Sequence, residues 1–279
     1  MSVRRSGSGW RPLMRGMRLL IHVVKGLLLA TLVKLDAAQR LDAEHLAQTW
    51  SRQLLRILNI TLTVHGSPAA NGHLVVANHV SWLDIFVLLA ARPTRFVAKS
   101  EIRDWPVAGW LADALGTFYI RRGKGGTTAL LERLSTHLDG GGTVVIFPEG
   151  TTSDGQRVLP FHPRLFAAAV DSDSPVQPAA LHYGPDADGQ PVAPFIGDDT
   201  LVAHIRHLLH VPSLSATLTW CAVQPSGKQS TREQCAQHAR QHIEQALVPF
   251  GQTTASLPVC RLVDDPPAAI TADHLGQAL

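Results

Sequence analysis

The chain has 279 residues and is 45% hydrophobic, which is enough for one large α/β domain with a sizeable core. Its net charge is +3, but the first forty residues hold eight Lys or Arg against one acid, so the basic character belongs to an N-terminal arm. Three widely separated cysteines, Cys221, Cys235 and Cys260, fit neither a zinc site nor a complete set of disulfides. We therefore expect a protein of the reducing cytoplasm.

The first predicted element is a helix over residues 17–33, where the basic arm runs into leucines and valines. Such a helix rises roughly 25 Å, slightly short of a ~30 Å hydrocarbon core. Four polar residues recur at helical spacing and are predicted to line one stripe of it: Arg15, Arg18, His22 and Lys25. This pattern favours a helix that lies in a membrane interface over one that spans the bilayer.

The arm therefore predicts an anionic membrane surface as a partner, at the cytoplasmic face of the inner membrane, with monotopic attachment favoured over a single pass. Nucleic acid is not expected, because the basic residues are not regularly interleaved with aromatic ones, and Trp10 is the single aromatic residue among them. Lys34 follows the apolar run directly, without a small-residue cleavage site, so we expect this segment to be retained.

The rest of the chain predicts a second helix and then an α/β domain. Residues 42–58 have apolar side chains at helical spacing, so residues 1–58 are predicted to form an amphipathic two-helix membrane-binding module. Short apolar strands then alternate with helices, which predicts a mixed, mostly parallel sheet covered by helices over residues 59–248. The proline-containing residues 249–279 are expected to form a loosely ordered tail.

The sharpest chemical signal is residues 78–84, Asn-His-Val-Ser-Trp-Leu-Asp, on the turn between a predicted strand and a predicted helix. His79 and Asp84 can meet only if His79 precedes the helix and Asp84 lies in its first turn. The carboxylate would then hold one imidazole nitrogen, leaving the other to take a proton from a substrate hydroxyl. A structural alternative stays open, because Ser81 and Asp84 have the spacing of a capping box.

Two further segments end predicted strands at the same edge of the sheet. Residues 147–153, Phe-Pro-Glu-Gly-Thr-Thr-Ser, follow a buried strand and predict an anion site, although an ordinary surface turn would have a similar composition. Residues 116–122 deliver Arg121 and Arg122 to this edge, where one of the two guanidinium groups could bind a phosphate bidentately.

Together the three segments resemble the glycerolipid (lysophospholipid) acyltransferase family, typified by bacterial 1-acyl-sn-glycerol-3-phosphate acyltransferase. The resemblance covers about residues 74–181, where the patterns NHxxxxD, GxxxIxR and FPEGTxS occur in the family's order. It implies that His79 is a general base and that Asp84 orients it. It also implies a set of residues that bind the acceptor: Arg122, Glu149, Gly150 and Thr151.

The resemblance further implies that the acceptor hydroxyl attacks a thioester directly, so no Ser or Cys nucleophile, cofactor or metal is expected. The donor would be acyl-acyl carrier protein or acyl-coenzyme A. Both are negatively charged, and Lys99, Arg121 and Lys124 are the cations expected to attract them.

Two departures from the family pattern bear on the acceptor. Thr152 stands where many members have arginine, and residues 160–166 depart from PFKxGxF, with Arg164 as a candidate replacement cation. We predict transfer to 1-acyl-sn-glycerol-3-phosphate, giving phosphatidic acid in phospholipid biosynthesis. Lyso-ornithine lipid or another lysolipid is the alternative acceptor, and a lipid-binding module without turnover is the non-enzymatic alternative.

Other classes of protein are poorly supported. A P-loop over residues 118–125 fails at two fixed positions, and no G-x-S-x-G points to a hydrolase. The spacing of His204, His207 and His210 on a predicted helix would permit metal ligation. No carboxylate or cysteine completes such a site, so a solvated helix face is the favoured interpretation.

Overall fold

The computed structural model describes residues 10–36, 38, 40–70, 72–120, 126–227 and 230–251. Within these residues, seven strands form a single sheet. The strands are β1 (Ile60–His65), β2 (Leu74–Ala77), β3 (Arg95–Lys99), β4 (Phe118–Ile120), β5 (Val144–Ile146), β6 (Val176–Tyr183) and β7 (Leu214–Trp220).

The strands lie in the order β1-β7-β6-β2-β5-β3-β4. All neighbouring strands are parallel except β6 and β7, which are antiparallel. Every side chain of β2 and β5 is buried, as expected for central strands covered on both faces. The predicted mixed, mostly parallel α/β sheet is confirmed.

Helices cover both faces of this sheet. They are α1 (Trp10–Leu35), α2 (Ala43–Ile57), α3 (Leu83–Ala91), α4 (Ala108–Ala114), α5 (Gly126–Asp139), α6 (Ala167–Asp171), α7 (Leu201–His210) and α8 (Arg232–Leu247). Short 3₁₀ turns occupy Ser100–Asp104, Pro163–Phe166 and Val248–Phe250. Because successive strand residues point to opposite faces, the sheet contributes to two cores, one with α2, α3 and α7 and the other with α5, α6 and α8.

The N-terminal helices pack directly on this framework. Leu54, Leu55 and Leu58 at the end of α2 belong to the same core as the sheet. That residues 1–58 act as a separate membrane-binding module therefore stays a prediction, as do the boundaries at residues 58 and 248. Residues 252–279 of the predicted tail lie outside the described part of the chain.

Helix α1 is longer than the sequence pattern predicted. Its 26 residues rise roughly 39 Å, and by length and composition alone it could cross a membrane. Its buried residues, His22, Gly26 and Ala30, are four apart and form the face that contacts the protein. Gly26 is needed there, because a Cβ atom would lie 2.7 Å from Nε1 of Trp50.

The predicted polar stripe on α1 faces the protein at some of its residues and solvent at others. The Arg15 guanidinium donates to backbone carbonyls of Ile57 and Leu58 at the end of α2, and to Leu208 and Leu209 in the last turn of α7. The carbonyls at helix C-termini lack intrahelical partners and carry negative partial charge, which explains why a cation is drawn inward. Among the four stripe residues, Arg18 and Lys25 are exposed.

Candidate active site

The predicted His79–Asp84 contact forms at the carboxyl end of β2. The chain leaves β2 after Ala77 and enters α3 at Leu83, so Asp84 falls in the first turn of that helix. His79 Nδ1 lies 2.7 Å from Asp84 Oδ2. Because a carboxylate only accepts, Nδ1 carries the proton and Nε2 is left as an acceptor.

Asp84 is completely buried and also shapes the loop in front of it. Its Oδ2 atom accepts from the backbone N–H groups of Val80 and Ser81 at 2.7 and 2.9 Å, in addition to His79. Ser81 Oγ has no hydrogen-bond partner among the described residues, so only one half of the possible capping box is formed. The carboxylate therefore has both the structural role and the contact with the imidazole.

The imidazole is held flat against an aromatic ring. The rings of His79 and Phe147 are stacked, with centroids 4.1 Å apart and planes 16° apart. Ser153 reaches the backbone of the same residue, since its N–H donates to His79 O at 2.8 Å. The His79 side chain is 19% exposed and lines a large cavity, so its free nitrogen is accessible from there.

Glu149 lies beneath the site. It is 4% exposed, and its two oxygens accept the N–H groups of His79 at 2.8 Å and Leu159 at 3.2 Å. It does not line the cavity. Burial raises the pKa of Glu149 from its ordinary 4.5 to about 7, although the two N–H donors act in the opposite direction. Direct contact between Glu149 and an acceptor head group stays a prediction, and the geometry supports a role in positioning the His79 backbone.

The cavity beside His79 has a volume of about 1080 Å³. It runs beneath α1 and α2 and beside α3 and α4, and its walls are mainly apolar side chains such as Trp50, Phe86, Leu111 and Phe147. No Asp or Glu is among the described residues that line it. The space suits a long apolar group that ends beside the imidazole.

The cavity wall also includes polar residues. Gly150 and Thr151 line it, and Gly150 has a φ of +70°, a backbone conformation that favours glycine. The cationic side chains of Lys99 and Arg164 line it as well. The wall therefore combines two cations with an accessible backbone turn, which is suited to an anionic group.

Several predicted residues cannot be placed. Arg121, Arg122 and Lys124 lie outside the described residues, so the predicted phosphate contact of Arg122 stays a prediction. In the part of the chain that the structure describes, no group of three or more His, Cys, Asp or Glu is arranged to hold a metal.

Comparison with known proteins identifies the family. A model of the Acyltransferase family matches residues 61–182, a segment that contains His79, Asp84, Glu149 and Gly150. The lyso-ornithine lipid O-acyltransferase of Pseudomonas aeruginosa is 39% identical over 244 residues, which cover 85% of this chain and 93% of that protein. The chain belongs to the lysolipid acyltransferase family.

Two other matches agree with this assignment. The 1-acyl-sn-glycerol-3-phosphate acyltransferase of Neisseria meningitidis is 35% identical over 185 residues, which cover 65% of this acyltransferase and 72% of the relative. The crystal structure of the 1-acyl-sn-glycerophosphate (LPA) acyltransferase from Thermotoga maritima has a TM-score of 0.61, covering 87% of this chain and 100% of that one. At 20% identity, the structural match shows the fold alone. The resemblance predicted from the three motifs is confirmed.

Sequence reasoning missed one polar contact of the acyltransferase site. Tyr183, the last residue of β6, donates its hydroxyl to Asp84 Oδ1 at 2.7 Å. The sequence identified Asn78 only as part of a motif. In the structure its Nδ2 donates to Leu181 O at 2.9 Å and its Oδ1 accepts from Leu181 N at 2.8 Å, so it joins the end of β2 to β6. A tyrosine at the carboxyl end of an apolar strand was the available signal, but its partner is 99 residues away.

The segment between β6 and α7 also contacts the site, and a residue of α7 corrects one prediction. Phe195 lines the cavity, its N–H donates to Val80 O at 3.0 Å, and its carbonyl accepts from Thr152 Oγ1. His204 is 7% exposed and accepts from Trp82 Nε1 at 2.8 Å. The predicted solvated face is therefore wrong for His204, whose ring supports a tryptophan of the first motif.

Proposed function

We propose that this lysolipid acyltransferase moves a fatty acyl chain from a thioester donor to the free hydroxyl of lyso-ornithine lipid at a membrane surface. One observation carries the catalytic part of the proposal. His79 has one nitrogen bound to a buried carboxylate and the other accessible from a cavity that suits an acyl chain. This arrangement suits a general base that acts on an alcohol.

The proposed reaction needs no covalent enzyme intermediate. His79 Nε2 takes the proton of the acceptor hydroxyl as its oxygen attacks the thioester carbonyl, and an ester bond forms. The carbon–sulfur bond then breaks, and the imidazolium returns the proton to the departing thiolate. Asp84 keeps the imidazole oriented through both steps, and Glu149 supports the His79 backbone from below.

The cavity and its cations support a proposed place for each of the two substrates. The apolar walls would take the acyl chain, with its carboxyl end next to His79. Lys99 and Arg164 would attract the anionic part of the acceptor or of the donor, acyl-acyl carrier protein or acyl-coenzyme A. Arg122, Gly150 and Thr151 remain the acceptor-binding residues proposed from the family motifs.

Two observations support lyso-ornithine lipid over 1-acyl-sn-glycerol-3-phosphate as the acceptor. The match to the Pseudomonas protein has higher identity than the match to the Neisseria protein and covers more of each chain. In addition, Thr152 is neutral and is bound to Phe195 O, so this position supplies no cation for a phosphate dianion. 1-Acyl-sn-glycerol-3-phosphate stays the second candidate.

The outer face of α1 supports attachment to a membrane. Its exposed apolar side chains recur at helical spacing: Leu13, Met17, Leu20, Val24, Leu28, Leu32 and Leu35. Arg18 and Lys25 are exposed as well and lie beside this stripe, where they could reach anionic head groups while the stripe enters the apolar layer. A helix that faces the protein on one side and lipid on the other would lie in the interface.

A second exposed apolar patch continues this surface. Trp105, Val107 and Trp110 are each more than 40% exposed, and Trp110 Nε1 donates to Thr31 Oγ1 of α1 at 3.3 Å. Lys34 lies 3.7 Å from the centre of the Trp110 ring. Tryptophan is favoured at membrane–water interfaces, so this patch and α1 are proposed to face the same bilayer.

A parallel acceptor assay tests the proposed function. Purified protein in vesicles would be given the same donor, acyl-acyl carrier protein or acyl-coenzyme A, in two reactions. One reaction would contain lyso-ornithine lipid as the acceptor, and the other 1-acyl-sn-glycerol-3-phosphate. We expect ornithine lipid as the main product. Phosphatidic acid alone would overturn the choice of acceptor, and vesicle binding without transfer to either acceptor would favour the non-catalytic module.

A further inference from the structure

The hydroxyl of Tyr183 donates to Asp84, and the proposed mechanism does not use this side-chain contact. We propose that Tyr183 is a positioning residue that fixes the Asp84 carboxylate and limits how strongly it holds a proton on His79. This inference rests on the proposed role of His79 as the base. It concerns a residue that no family motif quoted above includes.

The two oxygens of Asp84 have different neighbours. Oδ2 accepts three N–H groups, from the His79 ring and from the backbone of Val80 and Ser81. Within the described residues, Oδ1 has one hydrogen-bond donor, the Tyr183 hydroxyl. Rotation of the carboxylate would break contacts at both oxygens, so Tyr183 fixes the end opposite to the imidazole.

Tyr183 acts only as a donor in this contact. Burial of its hydroxyl, together with the neighbouring Asp84 charge, raises the pKa of Tyr183 well above its ordinary value. The hydroxyl thus stays protonated at any pH where the enzyme is folded and working. A donor on Oδ1 draws electron density from the carboxylate, which weakens its attraction for a proton on the imidazole at Oδ2.

The ring and the hydroxyl of Tyr183 have separable roles. The ring packs against the core that contains Leu83 and Leu218, and phenylalanine would preserve that packing. Tyr183 does not line the cavity, so its hydroxyl is not expected to touch either substrate. Loss of the hydroxyl should therefore change the protonation of the base and its turnover without changing substrate binding.

Other titratable groups near the pair must be considered in any pH measurement. Glu149 lies beneath His79, while Lys99, His162 and Arg164 line the same cavity. None of them is changed in the variants below. Any difference between variant and wild type in the titration of His79 therefore reports the missing hydroxyl.

The primary test is Tyr183→Phe, with the His79 ring followed by NMR as pH is varied and its signal assigned by comparison with His79→Ala. We expect the titration midpoint of His79 to rise by roughly 0.5–1 pH unit. The acidic limb of the profile of kcat against pH should shift to higher pH by the same amount. At neutral pH, kcat should fall about tenfold and KM should be unchanged. Coincident titration curves would overturn the proposal.

Tyr119 provides a matched control, because the chain has only two tyrosines. Tyr119 lies on β4 and does not line the cavity, so Tyr119→Phe should leave the His79 titration unchanged. In that background, incorporated fluorotyrosine labels Tyr183 alone and makes its hydroxyl a stronger donor. We expect the midpoint to shift downward, opposite to Tyr183→Phe; no shift, or an upward one, would contradict the proposal even if Tyr183→Phe fails to fold.

The NMR measurement needs no acyl transfer. If wild-type protein acylated no lysolipid, the proposed function would fail while the titration still decided whether Tyr183 controls the imidazole. If transfer occurred normally and the titrations coincided, only the role of Tyr183 would be lost.

Discussion

The carboxylate of Asp84 holds a loop and an imidazole at the same time. Two of its contacts are backbone N–H groups of that loop, one is His79, and one is Tyr183. Each of these four groups is a donor, so both oxygens of the side chain at position 84 must act as acceptors. This explains why an acid stands at position 84, where a capping role alone would allow other residues.

Replacement of Asp84 by asparagine should therefore weaken both the fold and the activity. An amide NH₂ cannot accept, so Asp84→Asn leaves at least one buried donor without a partner, at about 1–3 kcal/mol. Urea unfolding would measure the loss, with His79→Ala as the control that removes a partly exposed ring. Equal stability of Asp84→Asn and wild type would contradict the hydrogen-bond pattern described here.

Glu149 should give the protein a pH-dependent stability. Its pKa is about 7 in the folded protein against an ordinary 4.5, so the folded state binds this proton more tightly than the unfolded chain. The stabilisation is complete below pH 4.5 and is lost as pH rises through 7, by up to about 3 kcal/mol.

The measurement compares the unfolding free energy of wild type and Glu149→Gln across this window. The difference, wild type minus variant, should fall as pH rises, because the amide does not titrate. A difference independent of pH would show that the Glu149 carboxyl group is not held as the structure indicates.

At the scale of elements, α1 shows what a helical pattern can and cannot predict. Its existence and its two faces follow from the spacing of apolar and polar residues. Which face contacts the protein cannot be predicted from this spacing, because Arg15 binds carbonyls at the ends of α2 and α7, about 40 and 190 residues away along the chain. The polar stripe is thus partly a contact with the protein, and the leucine stripe is exposed.

The exposed stripe should control attachment to membranes. Leu20→Glu with Leu28→Glu removes two exposed apolar side chains, which should lower partition into anionic vesicles at least about tenfold. Flotation with vesicles measures this, and Val64→Glu, at an exposed apolar position on β1, is the matched control. Unchanged flotation of the double variant would exclude this face of α1 as the attachment surface.

The inner face of the same helix should limit the length of the acyl chain. Ala30 is buried and lines the cavity, so Ala30→Trp should reduce the space and shift product toward shorter chains. Product analysis with a mixture of acyl donors measures the preference. Leu28→Trp adds an indole on the exposed face as the control, and the same preference in both variants would mean that the cavity beside Ala30 does not hold the chain.

For the whole molecule, the sequence predicts the sheet. Two of the three motif segments, residues 78–84 and 147–153, lie entirely within the described part of the chain. Apolar strands alternate with helices along the chain, and residues 78–84 form a local unit, so both could be predicted. The strand order could not, since β7 pairs with β1 and β6 through contacts distant in sequence. Tyr183, Phe195 and His204 reach the site through contacts with residues about 100 or more positions away, so no local pattern identifies their partners.

The measurement that tests the account most directly is acyl transfer to lyso-ornithine lipid by His79→Ala in vesicles, compared with wild type at equal vesicle binding. Removal of a general base should lower kcat by roughly 10²- to 10⁴-fold. Far-UV circular dichroism and unfolding should stay close to wild type, because the ring lines a cavity. Turnover like that of wild type would contradict the central claim that His79 takes the proton from the acceptor hydroxyl.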